Sequence, residues 1–178
     1  MDGGSVNKGG STSPFDESRV KFEKIVIENN LGNSDVSITV KTLSPEEAIG
    51  TPGRRDFPIV TGKERVVEAE FHEAKAHAFT DSPKEFIGKL EKVITMPLTG
   101  NGERAIFIAT MNAVLKHLNI VETTLHCKDE EPERCAEEIA SYIKETLRPE
   151  IVGLVGLNPA ILEVLSTVFG SKNVRITD

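Results

Sequence analysis

The sequence predicts an α+β fold, an antiparallel sheet with helices, followed by the opening β-α-β unit of a Rossmann-like α/β domain. Three observations carry this. "DVSITVKTL" and "KERVVEAEF" alternate apolar and polar residues as half-buried strands do. "ERAIFIATMNAVLKHLN" repeats its apolar residues at helical spacing. "IVGLVGLNPAILEVL", Ile151 to Leu165, reads as a buried strand, a glycine turn and a capped helix. At 178 residues and 38% apolar content, the chain has material for one good core or two small ones.

Charge and cysteine content narrow the function classes. A net charge of −7 argues against a nucleic-acid partner, whose phosphates are held by clustered Lys and Arg. No run approaches the roughly 18 apolar residues of a membrane helix, and no secretory signal opens the chain, so a cytoplasmic protein without a membrane partner is expected. Cys127 and Cys135 are too few for a disulfide framework and are expected to be thiols.

Residues 1–19 begin Gly/Ser-rich and are expected to form a disordered tail. "VKFEKIVIEN", with Val20, Phe22, Ile25 and Ile27, is read as a strand that pairs with "DVSITVKTL" across the turn cluster "NNLGNS". Ser44 to Gly62, with Pro45, Pro52 and Pro58, is read as a long loop, either functional or simply solvated, with an Arg pair beside Asp56. "KERVVEAEF" puts Val67, Ala69 and Phe71 on one face and Val66, Glu68 and Glu70 on the other. Glu68 and Glu70 therefore project together, either as a ligating or acid–base pair or as the wet side of a sheet.

Ser82, Pro83 and Glu85 have the pattern of a helix cap, and predict a helix to about Met96 with Phe86, Leu90, Val93 and Ile94 buried. Asp81 would then sit at that helix's positive end. In the Glu103–Asn119 helix, Asn112 is the polar exception on a core-facing stripe, either tying down a loop or reaching a ligand. Ala109 and Ala113 on the same helix would allow a neighbour to approach closely. "VETTLHCKDEEPERCAEEIASYIKETL" predicts a short strand and a helix entered at Pro132, with Cys135, Ile139, Ile143 and Leu147 on one face. His126, Cys127 and Cys135 lack zinc-knuckle spacing, and Cys127 is the better candidate for exposed thiol chemistry.

"EIVGLVG" has the continuous apolar character of a strand buried on both faces, Asn158 and Pro159 cap the next helix, Gly170 ends it, and "NVRITD" is a second strand. Asp178 lies 22 residues after Gly156, close to where dinucleotide folds place a ribose-binding carboxylate.

Together "TPGRRDFPIVTGKERVVEAEF", "AFTDSP", "RAIFIATMNAVLKHL", "HCKDEEPERCAEEIA" and "VGLVGLNPAIL" resemble a prokaryotic family described as a putative heavy-metal chelation domain. The resemblance covers Val20 to Asp178. It implies an enolase N-terminal-like α+β domain over residues 20–148 and the start of a Rossmann-like domain over residues 149–178, incomplete because family members continue further. It also implies a cleft shared by the two domains, and condensation or hydrolysis of a pterin-, flavin- or siderophore-like metabolite linked to metal handling.

Family-motif positions Asp56, Thr80 and those below are expected to line the cleft. Asp81, Glu70 and Asn112 are the expected catalytic residues, Glu68, Glu70 and Asp81 the expected ligands of a divalent metal, and Gly156, Asn158, Pro159 and Asp178 the expected contacts to a nucleotide or S-adenosylmethionine-like ligand. The alternative is a noncatalytic module whose unfinished β-α-β sheet is completed by a partner or, as a homo-oligomer, by a second copy.

Overall fold

The computed structural model describes residues 13–32 and 37–177. The expected tail through Thr12, the tip of the expected turn and Asp178 lie outside them. In chain order the elements are α1 (Pro14–Glu28), β1 (Ser37–Leu43), α2 (Pro45–Ile49), α3 (Pro58–Thr61), β2 (Arg65–Phe71), β3 (Ala74–Thr80), β4 (Phe86–Lys89), α4 (Leu90–Thr95), α5 (Asn101–His117), α6 (Glu131–Tyr142), β5 (Val152–Val155), α7 (Pro159–Phe169) and β6 (Val174–Thr177). The fold is α+β. An antiparallel sheet in the order β3-β2-β1-β4 carries the main core, and β5 and β6 form a separate parallel pair. Among the described residues no helix is long and apolar enough to cross a membrane.

The first expected strand is a helix. Ser13 accepts a hydrogen bond from the Phe15 amide, Pro14 occupies the first turn, and Asp16 and Glu17 sit where the helix dipole favours acids. Those signals fall in the stretch assigned to the tail. The true buried pair is Phe22 and Val26, one turn apart, while Val20 and Ile27 face solvent at 66% and 65% exposure. With α1 unavailable, β1 pairs with β2 on one side and β4 on the other.

That pairing also explains the helix start expected at Ser82. Ser82 donates its backbone amide to the Thr80 hydroxyl, and the chain then runs extended so that Phe86–Lys89 can satisfy the open edge of β1. The helix begins only at Leu90, although Leu90, Val93 and Ile94 are buried as the periodicity requires.

Helix α5 lies across β2 and β3, with Phe107 fully buried against Phe22. Its fully buried polar residue is Thr110 rather than Asn112, which is half-buried. The expected strand before α6 does not form; instead residues 123–127 run along the free edge of β3, where His77 N donates to the Thr124 carbonyl. In α6 the buried residues are Pro132, Ala136 and Ala140, the alanines small enough to let α6 approach α7 closely, while Leu147, beyond the end of α6, is exposed.

Residues 44–62 are not a solvated loop. Ser44 and Glu47 form a reciprocal capping box that starts α2. Ile49, Phe57 and Ile59 are buried together with Val66 of the sheet, Ala136 of α6 and Ala160 of α7, so the segment is the seam between the antiparallel sheet and the β-α-β unit. Ser44→Ala is expected to lower stability by about 1 kcal/mol in urea unfolding; a change near zero would show that the seam does not need this cap.

The C-terminal unit is the expected parallel β-α-β, but β5 is buried on one face only. Val152 and Val174 pack with Leu165 and Ala140, whereas Ile151 is 57% and Val155 84% exposed, since no described element covers the other face.

Candidate functional site

The site begins with the β2–β3 hairpin. Its register pairs Phe71 with Ala74 and Arg65 with Thr80, so Glu64 and Asp81 leave the open end side by side. Both lie one residue beyond the paired strands, at the end of the sheet that α5 reaches through Asn101. They line one cavity of about 390 Å³ with Asn101 and Arg104 of α5. Gly102 brings α5 to this point, since a Cβ there would lie 2.6 Å from the Ser82 carbonyl oxygen. Asn101 Nδ2 donates to Asp81 Oδ1 at 2.8 Å, and Arg104 Nη1 reaches Asn101 Oδ1 at 3.4 Å.

A second cavity, of about 200 Å³, shares Glu64 and Phe79 with the first. The seam supplies Ile49 and Phe57, and the turn into α7 supplies Leu157, Asn158 and Pro159. His126 stands edge-on to the Phe79 ring at 4.7 Å. Asn158 is also the α7 cap, with Oδ1 accepting from the Ile161 amide at 3.1 Å.

Glu64 is the unusual group. It is half-buried, and its carboxyl has no hydrogen bond or ion pair among the described residues. Burial alone pushes its pKa up. His126 is shifted the other way, its pKa lowered by burial and then by His77, so it is held toward neutral imidazole. A partnerless, desolvated carboxyl where two cavities meet is a functional-site signature.

Glu68 contrasts with it. His77 Nδ1 accepts from the His126 backbone amide at 3.1 Å, so the imidazole proton lies on Nε2 and is donated to Glu68 Oε2 at 3.3 Å. Lys41 and Lys75 approach the other oxygen of Glu68 at 3.6 and 3.3 Å. Burial pushes the Glu68 pKa up, but the His77 and Lys75 hydrogen bonds and the lysine charges outweigh it and hold the carboxyl below its usual range. Burial lowers the His77 pKa, against the pull of Glu68.

Both folded values lie below the unfolded ones, so this pair stabilises the fold above pH about 6.5. The contribution of His77 is lost as pH falls from there through its folded pKa, and that of Glu68 below about pH 4.3. The unsubstituted protein is expected to lose melting temperature between pH 7 and 5, and His77→Asn to flatten that fall; parallel curves would exclude this role for His77.

The structure brings some of the expected site residues together and separates others. Asp81, Thr80, Asn158 and Pro159 line one cavity or the other. Glu70 does not join them: it pairs with Lys75 at the start of β3, while Asp81 lies six residues further on, roughly 20 Å along the strand. Glu68, Glu70 and Asp81 thus do not fit a shared metal, and among the described residues no three His, Cys, Asp or Glu side chains gather as a metal set.

Asn112 lines neither cavity, being two helical turns beyond Arg104. Gly156 makes the turn after β5 with φ 79°, its amide donating to the Thr177 carbonyl at 2.8 Å. Asp56 is held by both ends of the Arg54 fork at 2.7 and 2.8 Å. Cys127 is half-buried beside Cys135, and burial pushes its thiol pKa up, the opposite of a reactive thiolate.

Sequence reasoning missed Glu64, Phe79 and Arg104, and weighed His126 only within a Cys/His set whose spacing does not suit zinc. The signal for Glu64 was the register: a two-residue turn at His72-Glu73 fixes Glu64 opposite Asp81. His72 carries the positive φ of 52° that Gly or Asn usually supplies, so the turn had no ordinary signature. No family model, curated protein or solved structure matches the chain.

Proposed function

We propose that this chain binds a small organic molecule in the cleft between the antiparallel sheet and the β-α-β unit, and performs acid–base chemistry on it. The observation that carries this reading is Glu64, a half-buried carboxyl with no partner among the described residues, across the hairpin end from Asp81. Burial raises the Glu64 pKa from its ordinary value, while Asp81 is exposed and takes a hydrogen bond from Asn101. Two carboxyls in unlike environments on one cavity suit proton donation by one and acceptance by the other. Phe79 and the seam residues give the smaller cavity an apolar wall, and Asn101 orients Asp81.

The family resemblance supports condensation or hydrolysis of a heterocyclic metabolite linked to heavy-metal chelation. A cavity of 200 Å³ is below the roughly 300–1,000 Å³ of drug-sized sites, so it suits a single ring better than a nucleotide or S-adenosylmethionine. A fragment screen by NMR tests the reading. Hits are expected to shift the Phe79 and His126 ring signals, and Leu157→Trp, which fills the cleft from an exposed position, is expected to remove them. Hits that bypass the cleft would refute the assignment.

The exposed Val155 of β5 and Ile151 just before it favour a second reading, a noncatalytic module whose open β-α-β face is covered by a second copy. Native mass spectrometry decides it: a dimer broken by Val155→Lys supports this reading, and a monomer excludes it.

A further inference from the structure

We propose that the smaller cavity selects a planar organic cation, an aromatic amidinium or a protonated amino-heterocycle, whose charged edge pairs with Glu64 while its ring lies against Phe79. The proposal rests on the cleft being a small-molecule site and names the class of molecule it takes.

Charge is the first argument. Glu64 is the one acidic or basic side chain on the lining besides His126, and no Lys or Arg is among the residues that form it. His126 is held toward its neutral form by burial, so it does not repel a cation. Of the other charged groups on this face, Asp81 and Arg104 line the larger cavity, where Asn101 bridges them. A cation therefore meets one uncompensated carboxylate in the smaller cavity, and a mixed field in the larger.

Shape is the second argument. Phe79 remains 41% exposed and Leu157 51%, and with Ile49 and Phe57 they form an apolar slot around the acid. His126 meets Phe79 in a T-shaped contact, and at 41% exposure Phe79 keeps ring surface open for stacking. An apolar slot ending in a carboxylate discriminates by charge, because a planar amidinium can give two parallel N–H bonds to the two oxygens, whereas a neutral amide cannot neutralise the acid.

The test is a titration of the intact chain with benzamidine and with its neutral isostere benzamide, followed by NMR at pH 7.5. Benzamidine is expected to bind about tenfold or more tightly than benzamide, as suits a charge-assisted pair in a partly desolvated site. Its affinity is expected to weaken as pH falls and Glu64 takes up its proton. Glu64→Gln is expected to remain folded, melting no lower than the unsubstituted protein at pH 7, and to bring the two affinities within about twofold.

Equal affinity for both probes in the unsubstituted protein, with ring shifts at Phe79, would overturn the cation preference but leave the cleft as a binding site. Absence of binding by either probe would overturn both readings. A preference that survives Glu64→Gln but disappears in Asp81→Asn would place the selecting charge in the larger cavity, and overturn the assignment to Glu64.

Discussion

Phe107→Ala is expected to destabilise the protein by about 3–5 kcal/mol, a large share of the roughly 5–15 kcal/mol that holds a typical domain folded. The ring is fully buried on α5, where the helix crosses β2 and β3, and it meets the Phe22 ring at 5.9 Å and 84°. Removing it opens a cavity that neither the sheet nor a helix of this length can close by moving. Urea unfolding measures the loss, and a double-mutant cycle with Phe22→Ala isolates the edge-to-face pair at about 0.5–1.5 kcal/mol. Zero coupling would argue against this contact between α1 and α5.

Glu68→Ala is expected to cost about 1–3 kcal/mol, and Glu68→Gln clearly less. The difference identifies what matters. Lys41 and Lys75 are 50% and 44% exposed, so their ion pairs to Glu68 add little. The His77 side chain is only 5% exposed, and its Nε2–H has Glu68 as acceptor. Alanine leaves that donor buried and unpaired, whereas glutamine still offers it an oxygen. Chemical denaturation of both variants at pH 7.5 checks the order; equal losses would mean that charge, not the hydrogen bond, holds this part of the sheet. Nitrogen shifts of His77 in the native protein should show the Nε2–H tautomer.

Elements with local signals were legible in the sequence. β2 was readable from alternation, α5 and α6 from periodicity, and the β5-α7-β6 unit from Asn158, Pro159 and Gly170. Elements decided by a distant partner were not. "FIGK" becomes β4 only because β1 has an open edge, and the seam residues Phe57 and Ile59 are buried only because α6 and α7 arrive there. Within the site, Asp81 was singled out for the start of a helix that begins only at Leu90, whereas Asn158 and Pro159 stood out by their local pattern. Glu64 had none, and it acquires meaning only when the hairpin register sets it beside Asp81 and the β-α-β turn closes over it.

The sequence by itself determined an α+β chain with a parallel β-α-β end, because alternation, helical period and caps act over a few residues. The tertiary structure alone decided that Glu68 is tied into a charge network and that Glu64 has no partner among the described residues. The physical reason is that a carboxylate's role depends on burial and on what faces it, and both are set by residues far away in the chain.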